Sequence, residues 1–266
     1  MRFSAFAAVV VCVVFAAGCS GGEAKSGGVS TPKPVPRLSG DGRYEFIPGS
    51  SKPVEVKGWK PSKAETRQVD AFTSIAISSA VEADIKIGSS ASVVIEANPD
   101  YQKRISTSVR GGTLTIRLDG TVNTRLAIKA HIVTPTLNGI TVDGASNVGT
   151  LGLTGDFAVI VSGASQLNLN GKFGTLKVRL DGGSHLSASG IARACDLTIA
   201  GASTATLDPL EVGAAKADCS GASTVSFGSL QQVDFVANGA SSITYTGSPK
   251  VVRSDSDGAS SISSPD

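Results

Sequence analysis

The chain has 266 residues, of which 31 are glycine, with 5% aromatics and a single Trp and Met. A helical protein of that size would carry more long aliphatic side chains at helical spacing, so the composition favours an all-β chain rich in turns. The formal charge is +2, and no Lys/Arg cluster breaks the sequence. This excludes a phosphate-neutralising surface and, with it, a nucleic-acid partner.

The chain opens with Arg2 and an apolar run from Phe3 to Ala17, interrupted by Ser4 and Cys12. The run is too short for a permanent membrane span and reads as a secretory signal over residues 1–18. Its end, Ala16-Ala17-Gly18-Cys19, resembles a bacterial lipobox, which makes Cys19 the expected lipidation site and the membrane a partner through that lipid. Each buried acyl methylene would contribute roughly 0.8 kcal/mol to anchoring. Ser20 at the following position fits an outer-membrane or cell-surface address. Residues 19–68 hold Gly-Gly, Ser-Gly-Gly and Pro32-Lys33-Pro34-Val35-Pro36. That composition cannot bury enough apolar surface to fold, so the stretch reads as a flexible tether of roughly 40 Å root-mean-square span. Tyr44-Glu45-Phe46-Ile47 and Val54-Glu55-Val56 are expected as short strands docking on the following domain, with Trp59 as an anchor.

From Phe72 apolar residues alternate with period two: Phe72, Ile75 and Ile77, then Val81, Ala83, Ile85 and Ile87. Strands follow at Val93–Ala97, Ile105–Val109, Leu114–Leu118 and Leu126–Ile132, with Asn98-Pro99-Asp100 as a turn. Tyr101–Ile105 is the one helical candidate.

From residue 138 a tripeptide recurs. Its glycine and serine positions are Gly144 and Ser146, Gly163 and Ser165, Gly182 and Ser184, Gly201 and Ser203, Gly221 and Ser223, Gly239 and Ser241, and Gly258 and Ser260. Successive glycines lie 19, 19, 19, 20, 18 and 19 residues apart, a period that marks a stacked repeat. Rows two and four residues before the glycine, and four and six after it, are mainly apolar; the rows between are polar. Alternation on both sides of the tripeptide predicts two strands per repeat around one interior. Nineteen residues cover roughly 60 Å of extended path, about one circuit of a thin core. A second corner is expected at Gly152, Gly171, Gly190, Pro209, Ser229 and Gly247. The architecture predicted is a parallel β-helix of about 19-residue circuits over 69–266, preceded by irregular β-strands. The glycine accepts a positive φ, the alanine is expected to point inward, and the serine hydroxyl to bond the turn's backbone or its copy one circuit away. The serine column is therefore read as structural, because every circuit has it and no His or acid accompanies it. Ser254, Ser256 and Ser264 in core rows, with Asp255, Asp257 and Asp266, are expected to cap the last circuit.

Little in the chain speaks for catalysis. His131 and His185 read as structural or solvent-facing. There is no zinc spacing, P-loop or nucleophile elbow, so no metal, cofactor or catalytic residue is expected. Asp143 and Asp181 share a column but lie two circuits apart, about 9.6 Å at the strand spacing, too far for a retaining carboxylate pair. Cys195 and Cys219 are four rows out of register and are expected as buried free thiols.

Phe72-Thr73-Ser74-Ile75, the run Val81–Gly88, Val94–Asn98, Gly112–Ile116, and Ile132–Leu137 leading into Val142-Asp143-Gly144-Ala145-Ser146 resemble the DUF2807 family of bacterial lipoproteins and secreted proteins, described as an auto-transporter adhesin head or GIN domain. The likeness covers about residues 69–250. It implies a right-handed parallel β-helix in a surface or periplasmic setting, and no site residues. The chain is therefore expected to be a lipid-anchored module of the bacterial cell envelope. That module is non-enzymatic, adhesin-like or structural, and meets a glycan or protein ligand on its flat faces. The alternative is a polysaccharide lyase or hydrolase on the same fold, which a cleft holding acids with Arg or Lys would favour. End-to-end self-association is disfavoured by the polar last circuit.

Overall fold

In the computed structural model, residues 62–120 and 128–264 are described, together with two short strands further upstream. The chain divides into two units, Met1–Lys57 and Gly58–Asp266. In the first, β1 (Tyr44–Glu45) and β2 (Val54–Glu55) pair antiparallel with each other. The signal, Cys19, most of the tether and Trp59 lie outside the described residues.

The second unit is a parallel β-solenoid. Its regular part runs through β10 (Gly139–Val142), β11 (Asn147–Leu151), β12 (Leu153–Val161), β13 (Gln166–Leu180), β14 (His185–Ile199), β15 (Thr204–Leu207), β16 (Leu210–Cys219), β17 (Thr224–Ala237), β18 (Ser242–Thr246), β19 (Lys250–Ser256) and β20 (Ser261–Ser263). Each circuit pairs in parallel with the next in the register the tripeptide defines, as Leu180 with Ile199 and Ile199 with Cys219. The apolar rows are buried from Val142 to Ala237 and from Val148 to Ile243.

The circuits from β13 to β17 have three inward-facing stretches rather than two, whereas β19 in the last circuit is exposed throughout. In β13 the burial alternates through Leu167 and Leu169, resumes at Phe173, skips two residues, and continues at Leu176, Val178 and Leu180. The skip at Gly174-Thr175 breaks the alternation, so a short third side folds inward there. Phe173, Ala192, Val212 and Leu230 stack on that side, and Phe157, Leu176, Cys195, Ala215 and Val233 form the adjoining row. Phe227 and Phe235 stack across the interior with centroids 5.4 Å apart.

The solenoid also begins earlier than the tripeptide count. The segment before it comprises β3 (Lys63–Arg67), β4 (Ser74–Ile77), β5 (Val81–Ile87), β6 (Ser92–Ala97), α1 (Pro99–Gln102), β7 (Ile105–Arg110), β8 (Thr113–Leu118) and β9 (Ile128–Thr134). β4 lies parallel between β10 and β8, and β5 between β11 and β9. These strands are therefore two further layers, laid down out of chain order. Ser79-Ala80-Val81 occupies the Gly-Ala-Ser corner of its layer. Ser79 and Ala80 hold φ of 72° and 59°, a left-handed geometry costing about 1–2 kcal/mol per non-glycine residue.

At this end the ladders turn antiparallel: β6 adds to β9, β3 to β6, and β7 to β8. Lys63–Arg67, within the stretch assigned by composition to the tether, is thus part of the sheet. Gln102 fastens it: its side-chain amide donates to the carbonyls of Lys63 (2.6 Å) and Ile95 (2.8 Å), and its Oε1 accepts from Arg67 (2.6 Å). The single helical turn starts earlier than Tyr101. Asn98 caps it through a bond from the Asp100 amide (3.0 Å), and Pro99 takes the first position, where its missing N–H costs nothing.

Candidate binding groove

The tripeptide corner bonds both to the circuit before it and within its own turn. Gly201 takes φ +77°, and a Cβ there would sit 2.5 Å from the Gly182 carbonyl oxygen. That carbonyl accepts from the Ala202 amide at 2.7 Å, and the same bond recurs from Ala222 to Gly201 and Ala240 to Gly221. Glycine is required twice over, for its φ and for the close approach of the circuit before. The corner alanines Ala145, Ala164, Ala202, Ala222 and Ala240 are exposed, while Ser146, Ser165, Ser184, Ser203, Ser223 and Ser241 are buried. The expected inward alanine is thus outward. Serine can go inside because its hydroxyl donates to the carbonyl three residues back, as in Ser184 to Asp181 (2.6 Å), Ser223 to Ser220 (2.6 Å) and Ser241 to Asn238 (2.8 Å). These six buried hydroxyls are not presented to solvent as a nucleophile would be, and Ser260 in the last circuit is half-buried with its hydroxyl bonded to the carbonyls of Asp257 and Ala237.

The acids beside the corner are local braces. Asp143 Oδ1 accepts from the Ser162 hydroxyl at 3.0 Å, and Asp181 and Asp257 accept from the following glycine amides at 2.8 and 2.7 Å. Ser162 stands between Asp143 and Asp181, so no carboxylate pair forms. His131 faces outward, with Nδ1 3.5 Å from Asp84 and Nε2 3.9 Å from Glu96. His185 is half-buried between Gln166 and Thr204 in the outward column. Cys195 and Cys219 are buried free thiols, opposite Ala215 and Ile199 respectively. Burial, with a smaller push from the adjoining Asp196 and Asp218, raises both to about 12. Among the described residues, no three His, Cys, Asp or Glu converge to hold a metal.

Two long faces carry outward side chains in register from circuit to circuit. One presents Asn147, Gln166, His185, Thr204, Thr224 and Ser242 in a single column. The other carries an alternating ladder, Lys177-Asp196-Lys216-Asp234-Arg253, each residue opposite the next.

The short third side holds a shallow, open depression. A groove of ≈ 890 Å³ crosses four successive circuits there, rimmed by Ile191, Arg193, Glu211, Gln231, Gln232 and Lys250. Its floor is made of small residues, Ala192, Gly213 and Ala214; a Cβ on Gly213 would meet the Arg193 carbonyl oxygen at 2.7 Å. The groove lies where the period fails. Ala192 pairs with Val212, an offset of 20 residues, and Val212 with Leu230, an offset of 18. The extra residue enters at the Asp208-Pro209 turn and one is lost just before Leu230. The sequence signal was present in the glycine intervals of 20 and 18, and none of the rim residues was singled out from it.

A parallel β-solenoid built on a repeated Gly-Ala-Ser corner is therefore the class that the fold defines. The chain belongs to the DUF2807 family, "Putative auto-transporter adhesin, head GIN domain", which matches residues 71–249. The fold is shared with a "putative adhesin" of Bacteroides fragilis (TM-score 0.72, 21% identity, 77% of this chain and 98% of that one). A "putative adhesin" of Parabacteroides merdae has TM-score 0.67 at 13% identity, over 79% and 98% of the two chains. A "putative lipid binding protein" of Parabacteroides distasonis has TM-score 0.63 at 14% identity, over 79% and 98%. No curated protein matches the chain.

Proposed function

We propose that this protein is a non-enzymatic binding module of the bacterial cell envelope, adhesin-like in character, and that the groove on its short side receives the ligand. The observation that carries the reading is the groove itself. It is a concavity crossing four circuits, placed where circuit length departs from 19, and rimmed by exposed polar side chains and Ile191. Concave sites with a few convergent polar groups are the usual form of a ligand pocket. The family's description and the adhesin names of its structural neighbours support the same direction. In this reading residues 1–18 are removed, Cys19 is lipidated, and the stretch up to β3 spaces the solenoid from an outer membrane or cell surface.

A second reading is a polysaccharide lyase or hydrolase, favoured by Glu211 sharing one groove with Arg193 and Lys250. A glycan and protein array probed with the full chain, run beside an assay for released reducing or unsaturated sugar ends, separates the two. Binding without release is expected; release at catalytic turnover overturns the binding reading, and silence in both leaves only a structural role. Metabolic labelling with a palmitate analogue tests the anchor: the wild type should label and Cys19→Ser should not, and a labelled Cys19→Ser removes the lipid from the proposal.

A further inference from the structure

The chain treats its cations differently on two sides. On the charged face, Lys177, Lys216 and Arg253 each stand opposite an aspartate, and Arg253 is ion-paired to Asp255 at 2.7 Å. In the groove, Arg193 lies in the row of Gly213 and Lys250 stands opposite Gln232; Glu211 is the one acid on the rim, and neither cation forms an ion pair among the described residues. Lys250 is three circuits from Arg193, through Gly213 and then Gln231-Gln232, about 14 Å at the strand spacing. Two cations that far apart, neither held in an ion pair among the described residues, suit a polymer carrying repeated negative charge better than a single small anion.

The remaining rim groups describe the rest of that polymer. Gln231 and Gln232 offer amide donors and acceptors, the complement of vicinal hydroxyls. Ile191, 49% exposed on the same rim next to Glu211, offers an apolar contact for a sugar ring's C–H face. We infer that the groove binds an acidic sugar chain, lying along the solenoid axis with its carboxylates on Arg193 and Lys250 and its hydroxyls on the two glutamines. This rests on the reading of the groove as the ligand site. Glu211 is then a like charge beside the ligand, which gives the inference an unusual sign: removing it should help.

The test is calorimetric titration of the full chain with oligomers of galacturonate, glucuronate and mannuronate, against neutral galactose oligomers of equal length. At least one uronate oligomer should bind, more weakly as salt is raised, and the neutral oligomers should not. Arg193→Gln and Lys250→Gln should each weaken binding by about tenfold or more, the loss for a charged hydrogen bond. Glu211→Gln should tighten it several-fold. All three side chains are exposed, so unchanged thermal midpoints would establish that the variants fold. Equal binding of neutral oligomers, with Glu211→Gln inert, would overturn the acidic ligand while leaving a glycan-binding groove. Uronate binding untouched by both cation variants would overturn the site. Failure of all three uronates would overturn the inference, and the array then decides separately whether the chain is a binding module at all.

Discussion

The Ser223 hydroxyl donates to the Ser220 carbonyl at 2.6 Å from a position that is only 1% exposed. A polar side chain is thereby accommodated in the interior of a corner, beside the alanine that faces water. Replacing Ser223 by Ala removes the donor without relieving any crowding, so the cost should be that of a buried hydrogen bond, about 1–2 kcal/mol. Ala222→Ser, on the exposed side of the same corner, should change stability by less than about 0.5 kcal/mol. Urea unfolding followed by far-ultraviolet circular dichroism measures both; equal effects would show that the inward serine is not the bonded one.

Glycine at the corner makes a second, sharper contrast. Gly201→Ala would place a Cβ 2.5 Å from the Gly182 carbonyl oxygen while holding φ near +77°. The left-handed backbone alone costs about 1–2 kcal/mol, and the overlap must open a bond between circuits, so a total above about 3 kcal/mol is expected. Gly111→Ala keeps a φ of +55° but meets nothing within 4 Å, so its cost should stay near the backbone term, about 1–2 kcal/mol. If the two variants unfold at the same urea midpoint, the close stacking of glycine corners is not what selects the residue.

Much of this fold was legible because its periodicity is one-dimensional. Once the glycines were aligned, rows such as Val142, Val161, Leu180 and Ile199 identified the interior, and the four-row offset kept Cys195 from Cys219. The third side was not legible, since the two residues between Phe173 and Leu176 shift the phase of the alternation and disguise an inward row. At the corner the alanine's direction was misread, because alanine is the apolar member of the tripeptide; the serine takes the interior instead, its hydroxyl bonded to the turn backbone as expected. The two N-terminal layers escaped because Ser79-Ala80-Val81 lacks the glycine and because their spatial order is not their chain order. As for the groove, it was written in two intervals that depart from 19, but an interval shows where a wall is irregular and not which side chains rim it.

The alternating ladder predicts an electrostatic effect confined to one face. Lys216 stands between Asp196 and Asp234 in register, so Lys216→Glu would set three acids side by side. Cross-strand charge pairs contribute about 0.2–1 kcal/mol each, and exposed pairs fall toward the low end. A loss of about 1 kcal/mol is expected in low salt, shrinking in 1 M NaCl where the screening length is about 3 Å. Lys216→Met, which keeps the stem and drops the charge, should lie between. A deficit for Lys216→Glu that salt leaves unchanged would indicate lost packing rather than charge.

The two cysteines predict how stability should depend on pH. Burial raises each thiol from 9.0 to about 12, so the folded chain holds both protons where the unfolded chain releases them. A group with a raised folded value contributes its full stability below the unfolded value and loses it as pH climbs toward the folded one. The window here is from about pH 9 to about pH 12. Cys195 and Cys219 should resist iodoacetamide at pH 8 in the native protein and react once urea unfolds it, because the thiolate is the nucleophile. The urea midpoint of the wild type should fall between pH 8.5 and 10.5. The fall should be smaller in the Cys195→Ala, Cys219→Ala double variant, although that variant starts from a lower midpoint because it loses two buried sulfurs. Native-state alkylation of either thiol at pH 8, or identical pH slopes for the two proteins, would show that these thiols are not sealed in the stack.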